Sequence, residues 1–209
     1  MRAGWRGARR PGAAALVLLL AGCTPTTEDP PERPAPRQVP TAEPTSLASY
    51  ETDGVAVTRG PFCDRVSPTG IEHALGAVAE SHEEYGNGDR LRLPDGSRTI
   101  SHEYGCTWTD ADGTTARAWV FVPPVTAGWA RELVAEAAQP GRCRRTGSGE
   151  FGTPSVAVSC RTEAGAETSW RGLYGDAWLV CSLAGPEPAA ALDRRVDEWC
   201  VAVLEAARA

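Results

Sequence analysis

The first apolar positions of the chain are contiguous, not periodic. Ala13 to Leu20 form an unbroken apolar run behind Arg2, Arg6, Arg9 and Arg10, and the run ends in Leu20-Ala21-Gly22-Cys23. Such a run is shorter than the roughly 20 residues a permanent membrane span needs. Small residues before a cysteine give it the form of an export signal with a lipobox. The expectation is cleavage before Cys23 and lipid on its thiol. From Thr24 to about Gly54 large apolar residues nearly vanish, and Pro25, Pro30, Pro31, Pro34, Pro36, Pro40 and Pro44 recur. A segment of this kind buries too little surface to fold and forms an extended spacer. The chain therefore divides into a signal peptide (1–22), a lipidated Cys23 with a disordered Pro-rich tether (23–54), and a single extracytoplasmic domain (55–209).

Within that domain the pattern alternates between helical and strand periods. Ser67-Pro68 supplies a cap and a first-turn proline, and Ile71, Ala74, Leu75 and Val78 fall on one helical face, with Gly86 as the stop. Ile100 to Thr109 and Thr114 to Val122 read as strands about the turn Asp110-Ala111-Asp112-Gly113. In the first strand Tyr104, Cys106 and Trp108 share a face, while the second is apolar on both faces. Thr126 caps a second helix whose stripe is Trp129, Leu133 and Ala137, closed by Pro140-Gly141. Val156 to Cys160 is a third strand, and Glu167 to Leu173 with Ala177 to Leu183 form a second hairpin. Leu192, Val196, Trp199, Val203 and Leu204 mark a final helix, with Arg194 and Arg195 on its solvent side. The fold expected is α+β, a mainly antiparallel sheet of about five strands covered by three helices, in the order αββαβββα.

Charge and composition narrow the partners. The 209 residues carry a net charge of −6, and removing the four signal arginines takes the mature chain to about −10. A nucleic-acid partner is excluded on charge and compartment. Every basic residue is Arg, which reads as codon bias and not as chemistry.

Seven cysteines change the picture more. Beyond Cys23, an even set of six in an exported chain points to a disulfide-stapled domain. No C-x-x-C occurs, so a zinc cage or a thioredoxin-like motif has no support. Six cysteines admit 15 pairings and the sequence leaves the choice open. The pairing we favour is sequential: Cys63-Cys106, Cys143-Cys160 and Cys181-Cys200, because each couple falls on neighbouring expected elements.

Candidate chemistry is sparse, and no catalytic residue or metal site is assigned. His73, His82 and His102 are the only histidines, the last two in the similar words Ser81-His82-Glu83-Glu84-Tyr85-Gly86 and Ser101-His102-Glu103-Tyr104-Gly105. Flanking carboxylates suit a general base or a metal ligand, but no H-E-x-x-H spacing occurs. Gly147-Ser148-Gly149-Glu150-Phe151-Gly152 matches G-x-G-x-x-G only as a string, since no strand-to-helix context surrounds it. Asp110 and Asp112 resemble part of a calcium loop that lacks its closing glutamate. Arg142, Arg144 and Arg145 form a basic cluster able to meet an anionic envelope polymer or headgroup. Trp108, Trp119, Trp129, Trp170, Trp178 and Trp199 include candidates for a sugar-stacking platform, most of them on core faces.

The lipobox, the Pro-rich tether, Phe62-Cys63-Asp64 before a Ser-Pro-capped helix, the Cys106-Thr107-Trp108 strand and the closing strand and helix together resemble the actinobacterial lipoproteins grouped as domains of unknown function. The resemblance covers most of residues 60–207. Cys143, Cys160, Cys181 and Cys200 go beyond the two-cysteine pattern of that group. It implies a lipid-anchored extracytoplasmic protein and brings no catalytic residues. The function expected is a non-catalytic binding or accessory module of the cell envelope. It is held to the membrane through lipid on Cys23, monomeric and without cofactor, with an unidentified envelope ligand or protein as partner. An envelope hydrolase using the His82 and His102 region, with or without a metal, is the alternative.

Overall fold

The computed structural model describes residues 44–209 except Pro94, Gln139, Pro140 and Arg142. The lipobox, Cys23, the tether up to Glu43 and Arg142 of the basic cluster therefore lie outside the described residues. The fold is mixed α+β, with antiparallel sheets, three helices and disulfide bonds.

Among the described residues nine strands follow in chain order: β1 (Ser81–Tyr85), β2 (Arg90–Arg92), β3 (Arg98–Ile100), β4 (Glu103–Thr109), β5 (Thr115–Phe121), β6 (Cys143–Gly147), β7 (Ser155–Thr162), β8 (Gly165–Tyr174) and β9 (Ala177–Gly185). The helices are α1 (Pro68–Leu75), between the amino-terminal segment and β1; α2 (Ala127–Ala137), after β5; and α3 (Ala189–Ala207), after β9. Seven strands form one sheet in the order β1-β4-β5-β9-β8-β7-β6, and β2 and β3 form a separate hairpin. The five strands expected are all present, whereas β1, β2, β3 and β6 are additional, so the order αββαβββα does not hold.

The first helix is shorter than its pattern predicts, for a local reason. Ser67 accepts a hydrogen bond from the Gly70 amide at 3.1 Å, and Ile71, Ala74 and Leu75 face inward as expected. Gly76 then turns left-handed (φ 77°), which ends the helix at little steric cost. Val78 is 70 % exposed instead of continuing the stripe. Ser81 to Tyr85, polar enough to pass for the helix's last turns, instead pairs with β4 as an edge strand.

Period-two alternation sorts the core onto the two faces of the sheet. On one face Leu179, Cys181 and Leu183 of β9, with Cys106 and Trp108 of β4, meet Leu192, Val196, Trp199, Cys200, Val203 and Leu204 of α3. Gly70 lets α1 approach α3 closely, because a Cβ there would sit 2.9 Å from that of Ala202. On the other face Trp178 and Val180 of β9 pack under α2. The buried positions of α2 are Ala130 and Ala137, flanked by Leu133 and Val134, while Trp129 is 39 % exposed and leans on Phe121. The stripe is thus rotated by about one residue from the pattern predicted. Arg195 also departs from expectation: it is half-buried and paired with Glu187.

Packed chain begins before residue 55. Leu47 is buried against the core, Val57 bridges to Arg208, and the Thr58 and Ala209 amides bond to Ala207 and Ala56 carbonyls at 2.9 and 3.0 Å. Cys63 is joined to Cys106, Cys143 to Cys160 and Cys181 to Cys200. These tie the amino-terminal segment to β4, β6 to β7, and β9 to α3. Residues 44–209 carry the buried core and all six bridged cysteines and lie within one compact unit. Among the described residues no helix is long and apolar enough to cross a membrane.

Candidate functional site

The amino-terminal strap, the β7 approach loop and the β8–β9 turn enclose a cleft of about 460 Å³. One wall is residues 52–57, the roof is Gly152 and Thr153, and the floor is Leu173 through Asp176. The roof is fixed to the floor by the Thr153 amide, which donates to the Leu173 carbonyl at 2.8 Å, and by the Leu173 amide, which donates to the Pro154 carbonyl at 3.1 Å. Gly152 is required there: its φ is 73°, and a Cβ would meet the Leu173 carbonyl oxygen at 2.6 Å. The turn is pinned from the far side, since Arg59 Nη2 lies 3.2 Å from Asp176 Oδ2 and the Val125 amide donates to the Asp176 carbonyl at 2.8 Å. Arg59 also donates to the Val122 carbonyl.

Tyr174 is one of the residues that bound this cleft. The residue is 4 % exposed, its ring meets Phe151 edge-on at 5.3 Å, and its hydroxyl is wholly buried with no hydrogen-bond partner. Leaving a buried hydroxyl unpaired costs about 1–3 kcal/mol. Burial, with Tyr50 nearby, pushes the phenol far above its ordinary pKa, so it stays neutral and able both to donate and to accept. The residues lining the cleft include Asp53 and Asp176, Thr52 and Thr153, and Val55 and Val57, whereas the Leu173 side chain packs on the opposite face of the sheet. A few convergent polar groups on a partly apolar wall are the composition of a small-ligand site.

A second cleft, of about 340 Å³, lies between α3 and the β6–β8 end of the sheet. Its polar groups satisfy one another. Thr168 donates to Asp193 at 2.7 Å, Arg144 pairs with Asp193 at 3.3 Å, and Trp170 Nε1 donates to Asp197 at 2.7 Å. These groups have little left over for a ligand.

The residues singled out from the sequence do not converge. His82 stacks on Trp108, with centroids 4.7 Å apart and planes 4° from parallel, and its Nε2 lies 3.2 Å from Glu84. His82 stands opposite Trp108, at the far end of β4 from His102, a separation of roughly 20 Å at about 3.3 Å per residue. His73 is on α1, with Nδ1 2.8 Å from Glu198 of α3. Among the described residues no three His, Cys, Asp or Glu side chains gather as a metal cage requires.

The basic cluster is also divided. Alternation along β6 puts Arg144 on the α3 side and Arg145, opposite Val158, on the α2 side. The glycine string from Gly147 to Gly152 is the end of β6 and a loop. Asp110 caps its own turn, accepting from the Asp112 and Thr114 amides at 3.0 and 2.8 Å. Trp108, Trp170, Trp178 and Trp199 are core.

Sequence reasoning passed over Tyr174 because it sits in a hairpin-turn word, Tyr174-Gly175-Asp176. It passed over residues 52–57 because proline-rich chain precedes them directly. No protein-family model matches the chain, and no curated protein sequence matches it.

Proposed function

We propose that this chain is a lipid-anchored extracytoplasmic lipoprotein, a non-catalytic binding module of the cell envelope whose ligand sits in the Tyr174 cleft. The ligand is a small uncharged molecule rich in hydroxyl groups, such as a saccharide unit of the envelope. The observation that carries this reading is the buried, unpartnered hydroxyl of Tyr174. The hydroxyl is closed off from the cleft, so it is complemented when the strap at residues 52–57 shifts and a ligand brings the missing partner. The Asp53 carboxylate accepts from ligand hydroxyls and disfavours an anion, while Asp176 is paired with Arg59. The lipobox at Cys23 and the proline-rich spacer support placement at the membrane surface, and the likeness to actinobacterial lipoproteins agrees with both. Several acyl chains give stable anchoring at about 0.8 kcal/mol per buried CH₂.

Two measurements test it. Cys23→Ala moves the protein from the membrane to the soluble or precursor fraction; partition like that of wild type contradicts the anchor. Native mass spectrometry of the oxidised protein, mixed with a panel of neutral and N-acetylated mono- and disaccharides, detects a one-to-one adduct. Absence of any adduct across the panel contradicts the ligand class.

A further inference from the structure

The β2–β3 hairpin carries a concentration of positive charge on an otherwise acidic chain. Arg90 and Arg92 alternate onto one face of β2, and the residues opposite them in β3 are Ile100 and Arg98. Three guanidinium groups thus share a face two strands wide. Arg92 and Arg98 stand directly across from each other, an arrangement that repels unless something anionic lies between them. The acids nearest in sequence are engaged elsewhere: Asp89 accepts from the Gly86 amide at 2.7 Å, and Asp95 accepts from the Ser97 amide and hydroxyl at 2.9 and 2.7 Å. Among the described residues none of the three arginines forms an ion pair. At the base of the hairpin Arg90, Arg98, Thr99, Ile100 and His102 line an open cleft of about 510 Å³.

Charge alone suits any phosphate or carboxylate, but an apolar residue discriminates. Ile100, on the arginine face, is 45 % exposed, whereas Leu93, just past β2, alternates to the other face. A hydrated anionic polymer offers nothing to the Ile100 side chain. A bilayer interface offers both headgroup phosphates for the arginines and acyl-chain surface for the aliphatic group. We infer that the β2–β3 hairpin is a membrane-docking surface, with Arg90, Arg92 and Arg98 on the phosphates of anionic phospholipids and Ile100, on the same face, entering the interface. Since the whole sequence is net −6, the hairpin faces the bilayer and the acidic remainder is turned away from it. This inference does not depend on lipid at Cys23 or on the Tyr174 cleft.

The test uses residues 44–209, which lack the apolar run and the proposed anchor. Sedimentation with vesicles of phosphatidylcholine and phosphatidylglycerol in roughly equal parts shows binding that fades at high salt, with little on pure phosphatidylcholine. Each arginine near an anionic surface strengthens binding about fivefold, so Arg90→Gln, Arg92→Gln and Arg98→Gln together lower it about a hundredfold. That variant also removes a cross-strand repulsion, so its thermal stability stays at or above that of wild type. Ile100→Ser lowers the binding that survives added salt. Arg145→Gln with Arg161→Gln, at exposed sites elsewhere, leaves binding unchanged. Three results overturn the inference: no preference for anionic vesicles, an equal loss from the Arg145 and Arg161 pair, or soluble polyphosphate binding as tightly as the vesicles.

Discussion

Trp170 Nε1 donates a 2.7 Å hydrogen bond to Asp197 Oδ1, joining the middle of β8 to α3. Burial pushes the Asp197 carboxyl above its ordinary value; the indole bond pulls it down, and Asp193 pushes it further up. The folded protein therefore holds a proton that the unfolded chain has already released. Between the ordinary carboxylate value and the raised one, stability falls as pH rises; it is fully present only below the unfolded value.

Asp197→Asn keeps an oxygen for the indole and removes the ionisation. Urea unfolding at pH values just above the ordinary carboxylate range then shows a shallower loss of stability with rising pH than wild type. An unchanged slope would assign the effect to another group such as Glu103, also raised by burial. Asp197→Leu strands the indole N–H and costs about 1–3 kcal/mol at neutral pH.

The three bridges differ in access. Cys181 and Cys200 are fully buried, whereas Cys143 and Cys160 are half-exposed on the edge pair β6–β7. Graded reduction of the native protein, followed by alkylation and mapping, should label Cys143 and Cys160 first and Cys181 and Cys200 last. Labelling of all six at one rate would mean that reduction waits on global unfolding. Replacing Cys63 and Cys106 by alanine costs about 4 kcal/mol and either of the other pairs about 3, since Cys63–Cys106 closes the longest loop.

Two glycines give opposite outcomes when changed to alanine. At Gly172 in β8 a Cβ would lie 1.5 Å from the Phe151 carbonyl oxygen, so the loop above the strand must move. Gly172→Ala lowers stability by more than about 3 kcal/mol. Gly128 in α2 has only the Thr126 hydroxyl near, at 3.8 Å, and Gly128→Ala raises stability by about 0.5–1 kcal/mol through the unfolded chain. Thermal denaturation of both variants checks the pair; equal effects would contradict the close approach at Gly172.

What the sequence disclosed follows from where the apolar pattern is strong. β5, β9 and α3 were legible because the two strands are near-continuous apolar runs bounded by turns and the helix repeats its apolar positions at three and four. β1 and β6 were not. Ser81-His82-Glu83-Glu84-Tyr85 and Cys143-Arg144-Arg145-Thr146-Gly147 lie at the two edges of the sheet with mostly polar side chains. They are strands because a neighbour offers hydrogen bonds, and no local pattern records that. The cleft was illegible for a related reason. Asp53, Gly152 and Tyr174 meet only once the strap is pinned beside the β8–β9 turn, and a tyrosine in a turn word carries no mark of an unpaired hydroxyl.

The hydroxyl of Tyr174 is the centre of the account, and Tyr174→Phe tests it most directly. Thermal unfolding of both proteins, alone and with the saccharide that forms the adduct, separates the two roles. If the hydroxyl is kept for a ligand, the phenylalanine variant alone is as stable as wild type or up to about 1–3 kcal/mol more stable. The saccharide then raises the melting temperature of wild type and not that of the variant. If the variant alone is destabilised by more than about 1 kcal/mol and the saccharide raises both melting temperatures equally, the hydroxyl serves the fold and the ligand-binding claim is contradicted.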